Sequence, residues 1–63
     1  MTADAVADRM AALLDEQPRT FYDLLRALPD VEYRAILEGW SALRERRALG
    51  RDEHGRYLIR QTT

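Results

Sequence analysis

Two prolines, Pro18 and Pro29, decide where the first half of this chain can be helical. Proline removes a backbone N–H, clashes with the preceding turn and pushes the residue before it out of the helical region. The residues before Pro18, between the prolines and after Pro29 are therefore separate helical segments, each read for its own apolar face.

In the first segment Val6, Met10 and Leu13 recur at i, i+4 and i+7, flanked by Ala3 and Leu14, and predict a helix over about 4–16. Asp4, Asp8 and Asp15 fall on its opposite, solvated face, and Asp4 suits the positive N-terminal end. Thr20 reads as an N-cap, with Asp23 three positions on as the returning partner of a capping box. Phe21, Leu24, Leu25 and Leu28 then form a compact apolar face on a short helix over about 20–28. Asp30 is placed to cap the next helix at once, so the connection is tight and the pair reads as a helix-turn-helix.

The third helix, over about 31–47, is the longest. Ile36, Trp40 and Leu43 lie within about 60° of one another, with Tyr33 beside them, and are the expected buried stripe. Gly39 at the edge of the stripe predicts close approach of another helix, since a mid-helix glycine otherwise costs roughly 1 kcal/mol relative to alanine. Arg34, Leu37, Glu38, Ser41 and Glu45 project to the other side, with Arg44 on the shoulder. After Arg47 the period changes from about 3.6 to 2. Residues 48–51 and 56–60 are strand candidates, and Asp52-Glu53-His54-Gly55 between them has hairpin chemistry, with Gly55 free to take a left-handed conformation. Tyr57 and Ile59 are expected on one side of the second strand and Arg56, Leu58 and Arg60 on the other; Gln61, Thr62 and Thr63 read as a frayed tail. The fold class expected is mainly α with a small β-hairpin, one domain over 1–63.

The 63 residues leave room for one thin core, and with 46% hydrophobic and 33% charged residues the composition is globular. There is no cysteine, hence no disulfide, thiolate metal site or thiol nucleophile, and the single histidine, His54, cannot build a His-rich metal site. Charged residues interrupt every apolar run, so neither a membrane span nor a signal peptide is expected and the expected compartment is the cytoplasm. Nor is catalysis expected. Ser41 has no base placed by the pattern, no pair of carboxylates has an apolar setting, and Gly39, Gly50 and Gly55 form no phosphate loop. So small a domain has little room for a closed ligand pocket, so no cofactor is expected.

The net charge of −1 conceals an asymmetry: residues 1–32 carry three basic and seven acidic side chains, residues 33–63 seven basic and four acidic. All ten basic residues are arginine, whose planar fork suits phosphates, carboxylates and guanine edges.

Three helices followed by a hairpin resemble the winged helix-turn-helix family over about residues 4–60, most tellingly in the stretch LRERRALGRDEHGRYLI, which looks like the end of a recognition helix running into its wing. The resemblance departs where many members end that helix in glycine: Arg47 or Ala48 stands there and Gly50 comes late. It implies a small DNA-binding protein, a transcriptional regulator, with the third helix in the major groove and the wing on the backbone. Carried over by position, Arg34, Leu37, Glu38 and Ser41 are the base-reading candidates, and Arg44, Arg51 and Arg56, with His54 at the wing tip, the phosphate candidates. Two other readings stay open. Arg34 and Glu38 stand at i, i+4 and can neutralise each other, and Glu45 would face phosphates, which favours an accessory subunit docking on a larger protein. A homodimer through the first helix is the third. Tyr22 stands off its helix's apolar face, free for a phosphate, a partner or water.

Overall fold

A computed structural model describes residues 2–60; the tail at 61–63 lies outside the described residues. Thr2 rather than Asp4 opens helix α1 (Ala3–Glu16): its Oγ1 accepts from the Ala5 N–H at 3.1 Å. Gln17, extended ahead of Pro18, closes it. Helix α2 (Phe21–Ala27) begins on the expected capping box, Thr20 Oγ1 accepting from Asp23 N–H at 3.0 Å and Asp23 Oδ2 from Thr20 N–H at 3.1 Å. Helix α3 (Tyr33–Arg46) starts two residues later than predicted. Asp30 does not cap it, because its carboxylate is held by the Arg9 guanidinium. Val31 N–H instead donates to Leu28 C=O, which carries the chain through a turn before Glu32 opens the helix without a side-chain cap.

Strands β1 (Leu49–Arg51) and β2 (Tyr57–Ile59) pair antiparallel, with Leu49 opposite Ile59 and Arg51 opposite Tyr57. Gly55 takes φ +77° in the connecting turn, the conformation its lack of a Cβ permits. Three helices and a hairpin in this order are the architecture the sequence predicts. One pairing has no counterpart there: Arg19, between α1 and α2, bridges to Tyr57, with Arg19 N–H to Tyr57 C=O at 3.0 Å and Tyr57 N–H to Arg19 C=O at 2.6 Å. That bridge ties the hairpin to the helical body.

The core is built from Val6, Ala7, Met10, Ala11 and Leu14 of α1, Leu24 and Leu28, Ile36 and Leu43 of α3, and Ile59 of β2. Fully burying a side chain of Val, Leu or Met size is worth roughly 1.5–3 kcal/mol, so these few residues decide whether the chain folds. Helix α1 is rotated from the predicted face, with Leu14 buried and Leu13 only partly so. The reason lies at Gly39. A Cβ there would stand 2.5 Å from Val6 Cγ1 and 3.3 Å from Ala7 N, so α3 crosses α1 at a glycine and the small Ala7 and Ala11 belong to the packed face.

Trp40 is half-buried. Its ring makes edge-to-face contacts with Phe21 at 5.4 Å and Tyr57 at 4.9 Å between centroids, joining α2, α3 and the hairpin. Tyr33, predicted beside it in the stripe, is 59% exposed. It lies two turns, about 10 Å, back along α3, beyond the aromatic pair that covers Trp40.

Candidate functional site

The arginines divide into two sets. One set is neutralised inside the fold. Arg46 reaches across from the end of α3 to α1, with Nη2 2.7 Å from Asp8 Oδ1 and Nη1 4.0 Å from Asp4 Oδ1. Arg47 Nη2 stands 4.0 Å from Asp15 Oδ1. Arg9 holds both oxygens of Asp30 at 2.9 and 3.2 Å, a bidentate clamp between α1 and the turn before α3. Arg19 pairs with Glu16 at 2.9 Å while its Nε donates to Leu13 C=O. Within the hairpin, Arg56 Nε donates to Asp52 Oδ2 at 2.8 Å. Of these pairs, only those of Arg46 and Arg47 join the basic second half of the sequence to the acidic first half; the others close within their own half.

These contacts set the ionisation of the groups that make them. The side-chain hydrogen bond from Arg9 holds the Asp30 carboxyl below its ordinary range. The hydrogen bonds with Thr20, its backbone N–H first, do the same for Asp23. At Asp52 partial burial pushes the carboxyl up, but the N–H groups of Arg56 and His54 and the Arg56 guanidinium outweigh it and the net shift is downward. The Asp8 hydrogen bond raises Arg46, and that of Asp30 raises Arg9.

The second set has no carboxylate at ion-pair distance among the described residues. It comprises Arg26, lying over the Tyr22 ring at 5.8 Å, and Arg34, Arg44, Arg51 and Arg60 on α3 and the hairpin. Arg34 and Glu38, spaced to pair, do not come within that distance among the described residues, so the Arg34 charge is not cancelled locally. Leu37 is 41% exposed, and Arg34, Glu38, Ser41 and Arg44 are exposed on the same helix. The predicted outer face of α3 is therefore present as a solvent-facing surface. His54 is exposed in the hairpin turn, its N–H donating to Asp52 Oδ1 at 2.9 Å. Arg56, a predicted phosphate candidate, is compensated by Asp52. Tyr22 is 65% exposed on α2, engaged by Arg26 rather than by α3 or the hairpin.

Arg44 and Arg51 are brought together with a residue the sequence reading passed over. An open hollow of about 460 Å³ lies between α3 and the hairpin, walled by Trp40, Leu49 and Tyr57 and by Arg44, Arg51 and Arg60. The Arg51 guanidinium stacks over the Tyr57 ring at 5.1 Å and donates to Gly55 C=O. Arg60 lies across Gly50, where an added Cβ would meet its Nε at 2.5 Å. A glycine within a strand marks such a close approach, and Gly50 was the available signal for Arg60.

Among the described residues no group of three or more His, Cys, Asp or Glu side chains is placed to hold a metal ion, and no helix is long and apolar enough to cross a membrane. Neither family models, curated proteins nor solved structures give a match to this chain.

Proposed function

We propose that the chain is a small cytoplasmic transcriptional regulator that binds double-stranded DNA, with the outer face of α3 in the major groove and the hairpin along the backbone. The observation that carries this reading is the sorting of the arginines. Arg46 and Arg47 are paired with α1, whereas Arg34, Arg44 and Arg51 are exposed on α3 and the hairpin with no carboxylate at ion-pair distance among the described residues. Arg34 suits a guanine edge, Glu38 a cytosine amine and Leu37 a thymine methyl. Arg44 and Arg51 suit phosphates. Two arginine–phosphate contacts correspond to a slope of about −2 in log affinity against log salt.

Fluorescence anisotropy with random and genomic duplexes at low salt tests the reading. Salt-sensitive binding is expected, with Arg51→Ala weakening every duplex alike and Arg34→Ala relaxing sequence preference. No binding to any duplex overturns it.

A second reading, docking on a larger protein, has its own support: the exposed Tyr33 and Leu37, and Glu38 and Glu45 with no ion-pair partner among the described residues, share α3 with the arginines. Affinity purification after nuclease treatment separates the two. A stoichiometric protein partner recovered without nucleic acid favours docking. A homodimer through α1 has less to recommend it, because the apolar face of α1 is already packed into the core.

A further inference from the structure

The hollow between α3 and the hairpin has a chemistry of its own. Three guanidiniums, from Arg44, Arg51 and Arg60, line it, and among the described residues no carboxylate does. Other hollows on the surface each include one: Glu45 beside Arg44, Asp23 beside Arg26, Asp30 and Glu32 before α3, and Glu16 beside Arg9. Gathering three like charges around one opening is unfavourable unless an anion joins them, and none of the three has an ion-pair partner elsewhere among the described residues. The remaining walls are apolar: the Trp40 indole, the Tyr57 ring and Leu49. At about 460 Å³ the hollow falls within the roughly 300–1,000 Å³ of small-molecule sites.

We propose that this hollow is a binding site for a small organic phosphate of about mononucleotide size. Its phosphate lies among the three guanidiniums and its organic part lies against Trp40, Tyr57 and Leu49. A phosphomonoester carries a charge of about −1.5 to −2 at pH 7 and three acceptor oxygens, which matches several arginine forks better than a single carboxylate does. The Arg51 fork is already oriented by its stacking on Tyr57 and its bond to Gly55 C=O, so less side-chain entropy is lost on binding. Arg44 and Arg51 also belong to the duplex reading. The test below uses no DNA, so its failure leaves that reading standing.

Trp40 is the chain's single tryptophan and lines the hollow, so its emission reports occupancy directly. Titration with adenosine 5′-monophosphate is expected to give a saturable change in Trp40 fluorescence, confirmed by calorimetry, with adenosine and inorganic phosphate each binding more weakly. Arg44→Ala and Arg60→Ala should each weaken binding about tenfold, the loss of one charge-assisted contact. Arg26→Ala, which removes the same charge from α2, should leave it unchanged, and circular dichroism of all three variants verifies folding. Three results overturn the proposal: no saturable change up to about 1 mM ligand, the weak end of specific binding; equal losses in the Arg26, Arg44 and Arg60 variants; or inorganic phosphate binding as tightly as the nucleotide.

Discussion

Two arginines two positions apart on one helix have opposite fates. Arg46 turns towards α1 and pairs with Asp8 and Asp4, while Arg44 turns towards the hairpin and meets no carboxylate at ion-pair distance among the described residues. The two regions they enter differ throughout. On the inner side α1 and α3 cross at Gly39, the apolar side chains are buried and the charges around them are balanced. On the outer side the helix presents arginine, leucine, glutamate and serine to solvent, and beside it the hairpin helps to form a cationic hollow. Helical phase, not composition, decides which arginine is paired inside the fold and which has no carboxylate beside it among the described residues.

The two sides meet at Trp40, and the comparison breaks first there. Its ring holds Phe21 and Tyr57 edge-to-face, so Trp40→Ala should lower stability by about 3 kcal/mol and loosen the hairpin. Chemical denaturation followed by circular dichroism measures the loss; a variant as stable as the parent means that the indole belongs to the outer surface alone. Next is Gly39→Ala. Helix propensity favours alanine by roughly 1 kcal/mol, but the new Cβ would press on the fully buried Val6 and on the backbone of Ala7. Overpacking of this kind costs about 1–3 kcal/mol and should win, giving a net loss. A stabilised variant would show that α1 and α3 are not in close contact.

Thr20→Ala, which removes half of the capping box at α2, should cost about 1 kcal/mol in the same measurement. Acid should act more broadly. Asp23, Asp30 and Asp52 are more acidic folded than unfolded, so protonation favours the unfolded chain. Their contribution is complete above the unfolded value of about 3.9 and disappears as pH falls through the lower folded values, so melting temperature should be level near neutrality and drop below about pH 4. Asp30→Asn should reduce that drop. The smallest effect is expected of Arg46→Ala: a slight fall in melting temperature that high salt erases, since both partners are exposed.

Much of the architecture was legible because its signals are local. Pro18, Pro29, the Thr20–Asp23 box and Gly55 each act within a few residues of themselves, and each stands where the sequence placed it. What could not be read depends on distant partners. Nothing near Asp30 announces Arg9, which takes its carboxylate and delays α3. Nothing near Arg19 announces Tyr57. The α1 face was misjudged by one position because the alanines that allow a close crossing carry little hydrophobic signal, and Tyr33 because periodicity locates a face but not how far along the helix it is covered. On the outer surface, the positions of Arg34, Leu37, Glu38, Ser41 and Arg44 followed from helical phase alone. The compensation of Arg56 by Asp52 and the convergence of Arg60 with Arg44 and Arg51 depend on the hairpin's tertiary placement.

The most direct test of the central claim, that α3 divides its arginines between fold and partner, is the salt dependence of duplex affinity for Arg44→Ala and Arg46→Ala measured side by side. Arg44→Ala should flatten the plot of log affinity against log salt by about one unit, the loss of one phosphate contact, while Arg46→Ala should leave the slope as in the parent. Equal slopes for the two variants, or a flatter one for Arg46→Ala alone, would contradict the account.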